Sequence, residues 1–462
     1  MERIMPSFLR RAATAAFGCC LPFLRRNQRS RVVPQPAPPA STPPPASTPP
    51  SPAVVCDRFK GEILEVRFDD AVLLSKNGSS IPLSNPHWKA VSGGTAETNP
   101  AAIPVKTKPD IKATVKVKVI KSDWTDLKKL NGKLGVLELE GDCPTSVGEH
   151  SVTVKFKGTP PEMLFVEKGT MDWEIDVPCT TGKSLGSTEL EVYGIVEDIS
   201  YPFLSSGRPI EAIEFLYTKI PALNGTSVKN ADNPDTVVTT AITRYCHGNH
   251  GLVYDTTSGV PRYLDLRGKA FKLGKYMAKQ LENFTILTPS GGSIIVQEAK
   301  CNCYDQASAV LVFSGIIGLE GEKVFTGRTQ SDPSHWIFGY IKQTELVGGI
   351  VTNNPFHHEM TRSNNQYITR QRAPLIVDAD NRQRTPFGNH EFYRNKKTNK
   401  IFDACAGPAT GNHKYYKYLE EAVDTSVWGT PPKIKAGMIP YYQAIWKDSK
   451  RENYLQITNL IV

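Results

Sequence analysis

Between residue 55 and about 215 the chain is written in a two-residue repeat. Ala113-Thr114-Val115-Lys116-Val117-Lys118-Val119 alternates apolar and polar positions, as do Val136–Glu140, Ser151–Phe156 and Glu189–Tyr193. Asn131-Gly132, Gly141-Asp142 and Gly158-Thr159-Pro160 supply turns between them. Short strands at this spacing, each apolar on one side, predict an antiparallel β-sandwich region. Ile63–Phe68 and Ala71–Leu74 are its first strands or a small separate β unit. Nothing in this stretch has the pattern of a catalytic centre, so it reads as a non-catalytic positioning or adhesion module with charged side chains on its solvated face.

After about residue 215 the period changes. Ala270–Leu281 predicts a helix ending near Asn283. A second helix is predicted from Cys303, where Ala307, Val310, Leu311 and Ser314 recur at helical spacing and Gly315 is a plausible stop. Strand-like segments follow near Trp336–Ile341 and Glu345–Val351, then a hairpin near residue 390, a short helix at Tyr415–Val423 and a closing strand at Tyr454–Val462. Helix followed by strands implies an α+β domain over 216–462.

Residues 32–54 are nearly all Pro, Ala, Ser, Thr and Val, a composition that buries no core and reads as a Pro-rich disordered linker, either an extended, semi-rigid spacer or simply a disordered tail. Before it, residues 1–31 form a basic leader or targeting segment. Its seven arginines against Glu2 hold +6 of the chain's net +9. The remainder is close to neutral, so charge gives no nucleic-acid footprint. No run of eighteen apolar residues predicts a transmembrane helix. The weakly apolar Ala12–Leu24 between two arginine pairs suits a secretory leader, which makes a secreted or cell-surface protein the expectation. An organellar transit peptide, or a basic membrane-surface segment acylated at Cys19 and Cys20, are the alternatives. Sequons at Asn77, Asn224 and Asn283 permit glycosylation on a eukaryotic secretory route.

Nine cysteines occur. Cys303 falls in the first turn of its helix, where unpaired N–H groups and the positive dipole end favour thiolate. It is the candidate nucleophile. Without it and the two leader cysteines six remain, compatible with up to three disulfides. Cys301 paired with Cys405 beside the helix is one natural choice. A nucleophilic cysteine needs an imidazole and a group to orient it. His390 precedes Asp403 in two strand-like runs, Asn389–Arg394 and Lys400–Ala404, around a polar turn. A hairpin symmetric about Lys396–Lys397 sets His390 directly opposite Asp403, within hydrogen-bond reach.

A cysteine opening a helix as Cys303-Tyr304-Asp305-Gln306-Ala307, then a strand histidine in Asn389-His390-Glu391-Phe392 and a strand aspartate in Ile401-Phe402-Asp403-Ala404, resembles the transglutaminase-like branch of the papain-like cysteine enzymes. The resemblance covers about 270–410. It implies a transglutaminase-like domain with a catalytic helix and antiparallel sheet, and acyl transfer through a thioester on Cys303. His390 is then the acid–base and Asp403 its orienter. Gln297, six residues before Cys303, has the spacing of the oxyanion glutamine in papain-like peptidases. The implied partner is a protein or peptide substrate bearing a carboxamide, handled by hydrolysis, deamidation or transamidation. The chain departs from the family pattern in having Lys300-Cys301-Asn302 before the cysteine where a glycine is usual, and a long insertion at 319–386.

No cofactor is implied. Asp378-Ala379-Asp380-Asn381 lacks the glycine and distal glutamate of a calcium loop. Cys301, Cys303, Cys405 and His390 could gather round zinc, but Cys-x-Cys without a second pair is a poor zinc signature. His247 and His250 read as turn residues rather than ligands. The rival from another class is a catalytically inactive surface or wall-associated binding protein built on the same fold.

Overall fold

The computed structural model describes residues 57–107, 110–158, 161–229, 233–255, 259–265, 270–279, 282–287, 293–327, 340–341, 344–352, 358–363, 366–371, 389–415, 417–418, 423–424, 446–447 and 456–458. The chain divides into Met1–Val55 and Cys56–Val462. The leader, the proline-rich segment and the Asp378–Asn381 stretch lie outside the described residues.

The first half follows its alternation. Twelve strands run β1 (Phe59–Phe68), β2 (Leu74–Lys76), β3 (Ser79–Ile81), β4 (Trp88–Lys89), β5 (Glu97–Thr98), β6 (Ala101–Pro104), β7 (Lys112–Ser122), β8 (Leu127–Leu134), β9 (Leu137–Pro144), β10 (Gly148–Phe156), β11 (Val166–Val177) and β12 (Thr180–Ile195). In β7, Ala113, Val115, Val117 and Val119 are buried while Lys118 between them faces out. Ten of the strands join in one sheet of order β5-β4-β1-β7-β10-β9-β8-β11-β12-β6. Its pairs are antiparallel except β12 with β6. The expected sandwich has two separate sheets, whereas hydrogen bonds here run through a single one. That sheet curls: a Cβ on Gly61 of β1 would meet the Leu185 side chain of β12 at 3.0 Å, across five intervening strands. Trp173 fills the interior, its indole N–H donating to Thr188 Oγ1 at 2.9 Å.

Helices then enter, giving a mixed α+β molecule: α1 (Ile210–Lys219), α2 (Asn233–Arg244), α3 (Leu273–Ala278) and α4 (Cys303–Ile317). The predicted 270–281 helix is only partly a helix. Ala270–Lys272 is a strand paired in parallel with Gln456–Thr458, and the helix that follows stops at left-handed Lys279. The helix predicted from Cys303 begins there but runs past Gly315 to Ile317, ending on Gly318 at φ 95°. Every residue of α4 except Tyr304 is buried, so it is a core helix, enclosed on all sides. Asn389–Asn395 packs in a sheet between Gly321–Gly327 and Lys400–Asp403. Among the described residues no helix is long and apolar enough to cross a membrane.

Candidate active site

The site is built from the start of α4. Asn302 is extended, its side-chain oxygen accepts from Asp305 N–H at 3.1 Å, and Asp305 Oδ2 accepts from Asn302 N–H at 3.2 Å. This reciprocal capping box fixes Cys303 as the first helical residue. The Asp305 carboxylate is also the hub of a neighbouring loop, accepting from the backbone N–H of Arg262, Tyr263 and Leu264 at 2.8–2.9 Å. Burial pushes this carboxyl up to about 6 while the four N–H groups hold it back. Both of its oxygens act as acceptors of N–H groups, an arrangement that favours the charged carboxylate in the first helical turn.

A ladder of backbone contacts brings the downstream hairpin to this helix start. Lys300–Cys301 pairs in parallel with Val253–Tyr254. Tyr254 N–H donates to Val347 O at 2.9 Å, and Val347 N–H donates to Cys405 O at 2.9 Å. Segments distant in sequence are thus laid side by side as 301, 254, 347 and 405.

The hairpin register differs from the symmetric one. Tyr393 pairs with Phe402 and Arg394 with Ile401. Continued one step, this places Asp403 across from Phe392, not from His390. The turn causes the shift: Asn399 takes a left-handed φ of 56°, and Asn395 Oδ1 accepts from Thr398 N–H and Oγ1–H at 2.8 and 3.1 Å. A shift of two residues keeps both side chains on one face. His390 Nε2 therefore still meets Asp403 Oδ2, at 2.8 Å.

Asp403 is held on every side. Oδ1 accepts from Cys405 and Ala406 N–H at 2.8 and 3.2 Å, and Oδ2 also accepts from Tyr418 O–H at 2.5 Å. Burial works against its charge, yet His390 and these donors together hold the carboxyl below its usual range. Burial likewise works against a charged His390. The Asp403 carboxylate and then the neighbouring Cys303 outweigh it and raise the ring to about 10. Exposure is 4% for Cys303, 0% for His390 and 1% for Asp403, so the line thiol–imidazole–carboxylate lies out of bulk water.

The structure thus brings together Cys303, His390 and Asp403. Gln297 lies on the strand Ser293–Glu298, paired with Asn283, and its side chain is outside the described residues. The Cys301–Cys405 disulfide is overturned, since both are free, buried thiols. Cys301 instead accepts from the Gln306 amide at 3.1 Å, and burial pushes both thiols well above their ordinary range. Cys143 and Cys246 are free as well, while Cys179 is disulfide-bonded. Among the described residues no group of three His, Cys, Asp or Glu is arranged to hold a metal. His247 and His250 sit on a π-helical turn, Tyr245–Asn249, and the residue after it. His247 faces Ala404 O at 3.2 Å. His250 Nε2 donates to Tyr276 O at 2.6 Å, so its Nδ1 accepts from Tyr245 O–H at 3.0 Å, and burial lowers this ring to about 4.

Tyr418, Tyr254 and the N–H groups of Cys405 and Ala406 were not legible as site residues. Only Asn302-x-x-Asp305 carried a readable signal, that of a capping box. No family model matches the sequence, and no curated protein matches it. Among solved structures the chain is similar to a transglutaminase of red sea bream, with a TM-score of 0.35 and 9% identity over 67% of this chain and 53% of that one. The chain thus spans about half the length of that structure. At this level of similarity the likeness assigns neither fold nor chemistry.

Proposed function

We propose that the chain carries out cysteine-dependent acyl transfer on protein or peptide carboxamides, through a thioester on Cys303. In this reading residues 216–462 are a transglutaminase-like catalytic domain and 55–215 a non-catalytic β domain. Residues 1–31 and 32–54 are an export leader and a spacer. One observation carries the proposal: a helix-opening thiol, an imidazole and a carboxylate are buried together, with the imidazole hydrogen-bonded to the carboxylate and the thiol acting on its charge.

The chemistry that follows from this line is as follows. Cys303 gives its proton to His390, and sulfur attacks the amide carbon. The tetrahedral oxyanion is met by N–H groups at the start of α4, with Gln297 as the side-chain candidate. His390 returns the proton to the leaving nitrogen as the C–N bond breaks, releasing ammonia or an amine and leaving the thioester. Water or a second amine then attacks, gives its proton to His390, and the thiol is restored. Asp403 keeps the imidazole in the tautomer and orientation both steps need and stabilises its charge.

Iodoacetamide at neutral pH is expected to alkylate Cys303 far faster than Cys143, Cys246, Cys301 or Cys405, and His390→Ala to abolish that preference. Slow, uniform labelling of all thiols in the native protein would sink the proposal. Incubation with a glutamine-containing protein and a fluorescent amine separates the fates of the thioester by mass spectrometry. An amine adduct means transamidation, conversion of glutamine to glutamate deamidation, and shortened chains proteolysis.

A further inference from the structure

Asp403 has four donors, and three are accounted for by the hairpin itself. The backbone N–H groups of Cys405 and Ala406 clamp Oδ1, and His390 takes Oδ2. The fourth, Tyr418, comes from a helical segment beyond the hairpin and shares Oδ2 with the imidazole. Its contact of 2.5 Å is in the range of an O–H donor on a charged carboxylate. The phenol is placed by packing, its ring centroid 4.8 Å from that of Phe392, which in turn lies 5.6 Å from the His390 ring. Tyr418 is itself buried, and burial with the adjacent Asp403 holds its O–H protonated well beyond the usual range for a phenol, so it stays a donor.

We propose that Tyr418 is a positioning residue for Asp403, its O–H keeping the carboxylate ionised and Oδ2 turned to His390. This rests on reading Cys303 as the nucleophile. A donor to the charged form of a carboxyl favours that form. Without the phenol, Asp403 takes a proton at higher pH, the imidazolium loses its counter-charge there, and the thiol is no longer activated.

Tyr418→Phe keeps the ring on Phe392 and removes only the donor. The acid limb of Cys303 alkylation is expected to move to higher pH by about one unit, so that at a given pH on that limb the rate falls about tenfold, the scale of one lost hydrogen bond to a charged group. In an Asp403→Asn background the same substitution is expected to change nothing further, because the group it acts through is gone. A merely structural tyrosine would slow alkylation equally in both backgrounds and leave the limb in place. An unchanged limb in a Tyr418→Phe protein whose wild type labels Cys303 selectively overturns this proposal alone. Uniform labelling of the wild type overturns the acyl-transfer reading instead. Should Tyr418→Phe not fold, 3-fluorotyrosine at position 418 keeps the ring and makes the O–H a stronger donor. The acid limb must then move to lower pH, and a limb that stays put refutes the assignment.

Discussion

His390 holds a proton where burial alone would strip it. The ring has no exposure, yet Asp403 and Cys303 raise it from 6.5 to about 10. A folded-state pKa above the unfolded one stabilises the protein fully below 6.5, and that stabilisation is lost as pH rises through about 10. Asp403, held below its usual range, works in the opposite window, its contribution present above the unfolded carboxyl pKa and lost in acid. Urea midpoints measured from neutral pH to above 10 are expected to fall for the wild type and to fall less for His390→Gln. Parallel curves would mean that the imidazolium is not held by these partners. The pairing of these two residues was legible because faces alternate with period two, so a wrong register of the right parity still gives the right neighbours. The register itself was not legible, because it depends on the left-handed Asn399 and the Asn395 side chain bonding inside the turn. Tyr418 was invisible for a different reason, since nothing in Lys417-Tyr418-Leu419 says which carboxylate the phenol will meet.

The helix that presents Cys303 depends more on its cap than on its own composition. Asn302→Ala removes the acceptor for Asp305 N–H and the donor to Gly259 O at 2.8 Å. The expected loss is about 1–2 kcal/mol, that of an N-cap. Asp305→Ala is expected to cost more, by about 1–3 kcal/mol, since it also strands buried backbone N–H groups of Arg262, Tyr263 and Leu264. Denaturant unfolding of the two variants checks the order, and equal losses would show that the loop does not depend on Asp305. Where the helix begins was readable from Cys303 and its spacing, but where it ends was not. Gly315 resembles a stop. In place it lies inside the helix against the stacked rings of Tyr201 and Phe203, where a Cβ would come within 3.0–3.1 Å of them. The partners that make a small residue necessary there lie over a hundred positions earlier, beyond the reach of any local pattern. Phe271 was misread for a related reason. A strand arriving from residues 456–458 recruits it out of the helix that its own neighbourhood predicts.

The ten-stranded sheet reaches the helix of the candidate site at the end far from Cys303. Val196, just past β12, donates its N–H to Ile317 O at 2.8 Å. Arg208 is buried there, donating to Ile316 O at 3.1 Å, Ile199 O at 3.0 Å and the Asp198 carboxylate at 2.9 Å. Gly318 is the pivot: N–H bonds from Gly318 to Gly315 O and from Leu319 to Ser314 O close the helix in a left-handed turn. A Cβ on Gly318 would stand 2.1 Å from Glu197 O, so backbone meets backbone with no room to yield. Gly186 in β12 provides the comparison, with a φ of 100° and nothing within 4 Å of the same hypothetical atom. Gly186→Ala is expected to cost about 1–2 kcal/mol, the strain of a left-handed residue alone. Gly318→Ala adds overpacking of about 1–3 kcal/mol at the joint. If that joint couples sheet to site, Gly318→Ala lowers the denaturant midpoint further than Gly186→Ala. Loss of selective Cys303 alkylation should then coincide with loss of sheet structure followed by circular dichroism. A sheet that outlasts the labelling, with the two variants equally stable, would instead mean that the helix holds Cys303 without help from the strands behind it.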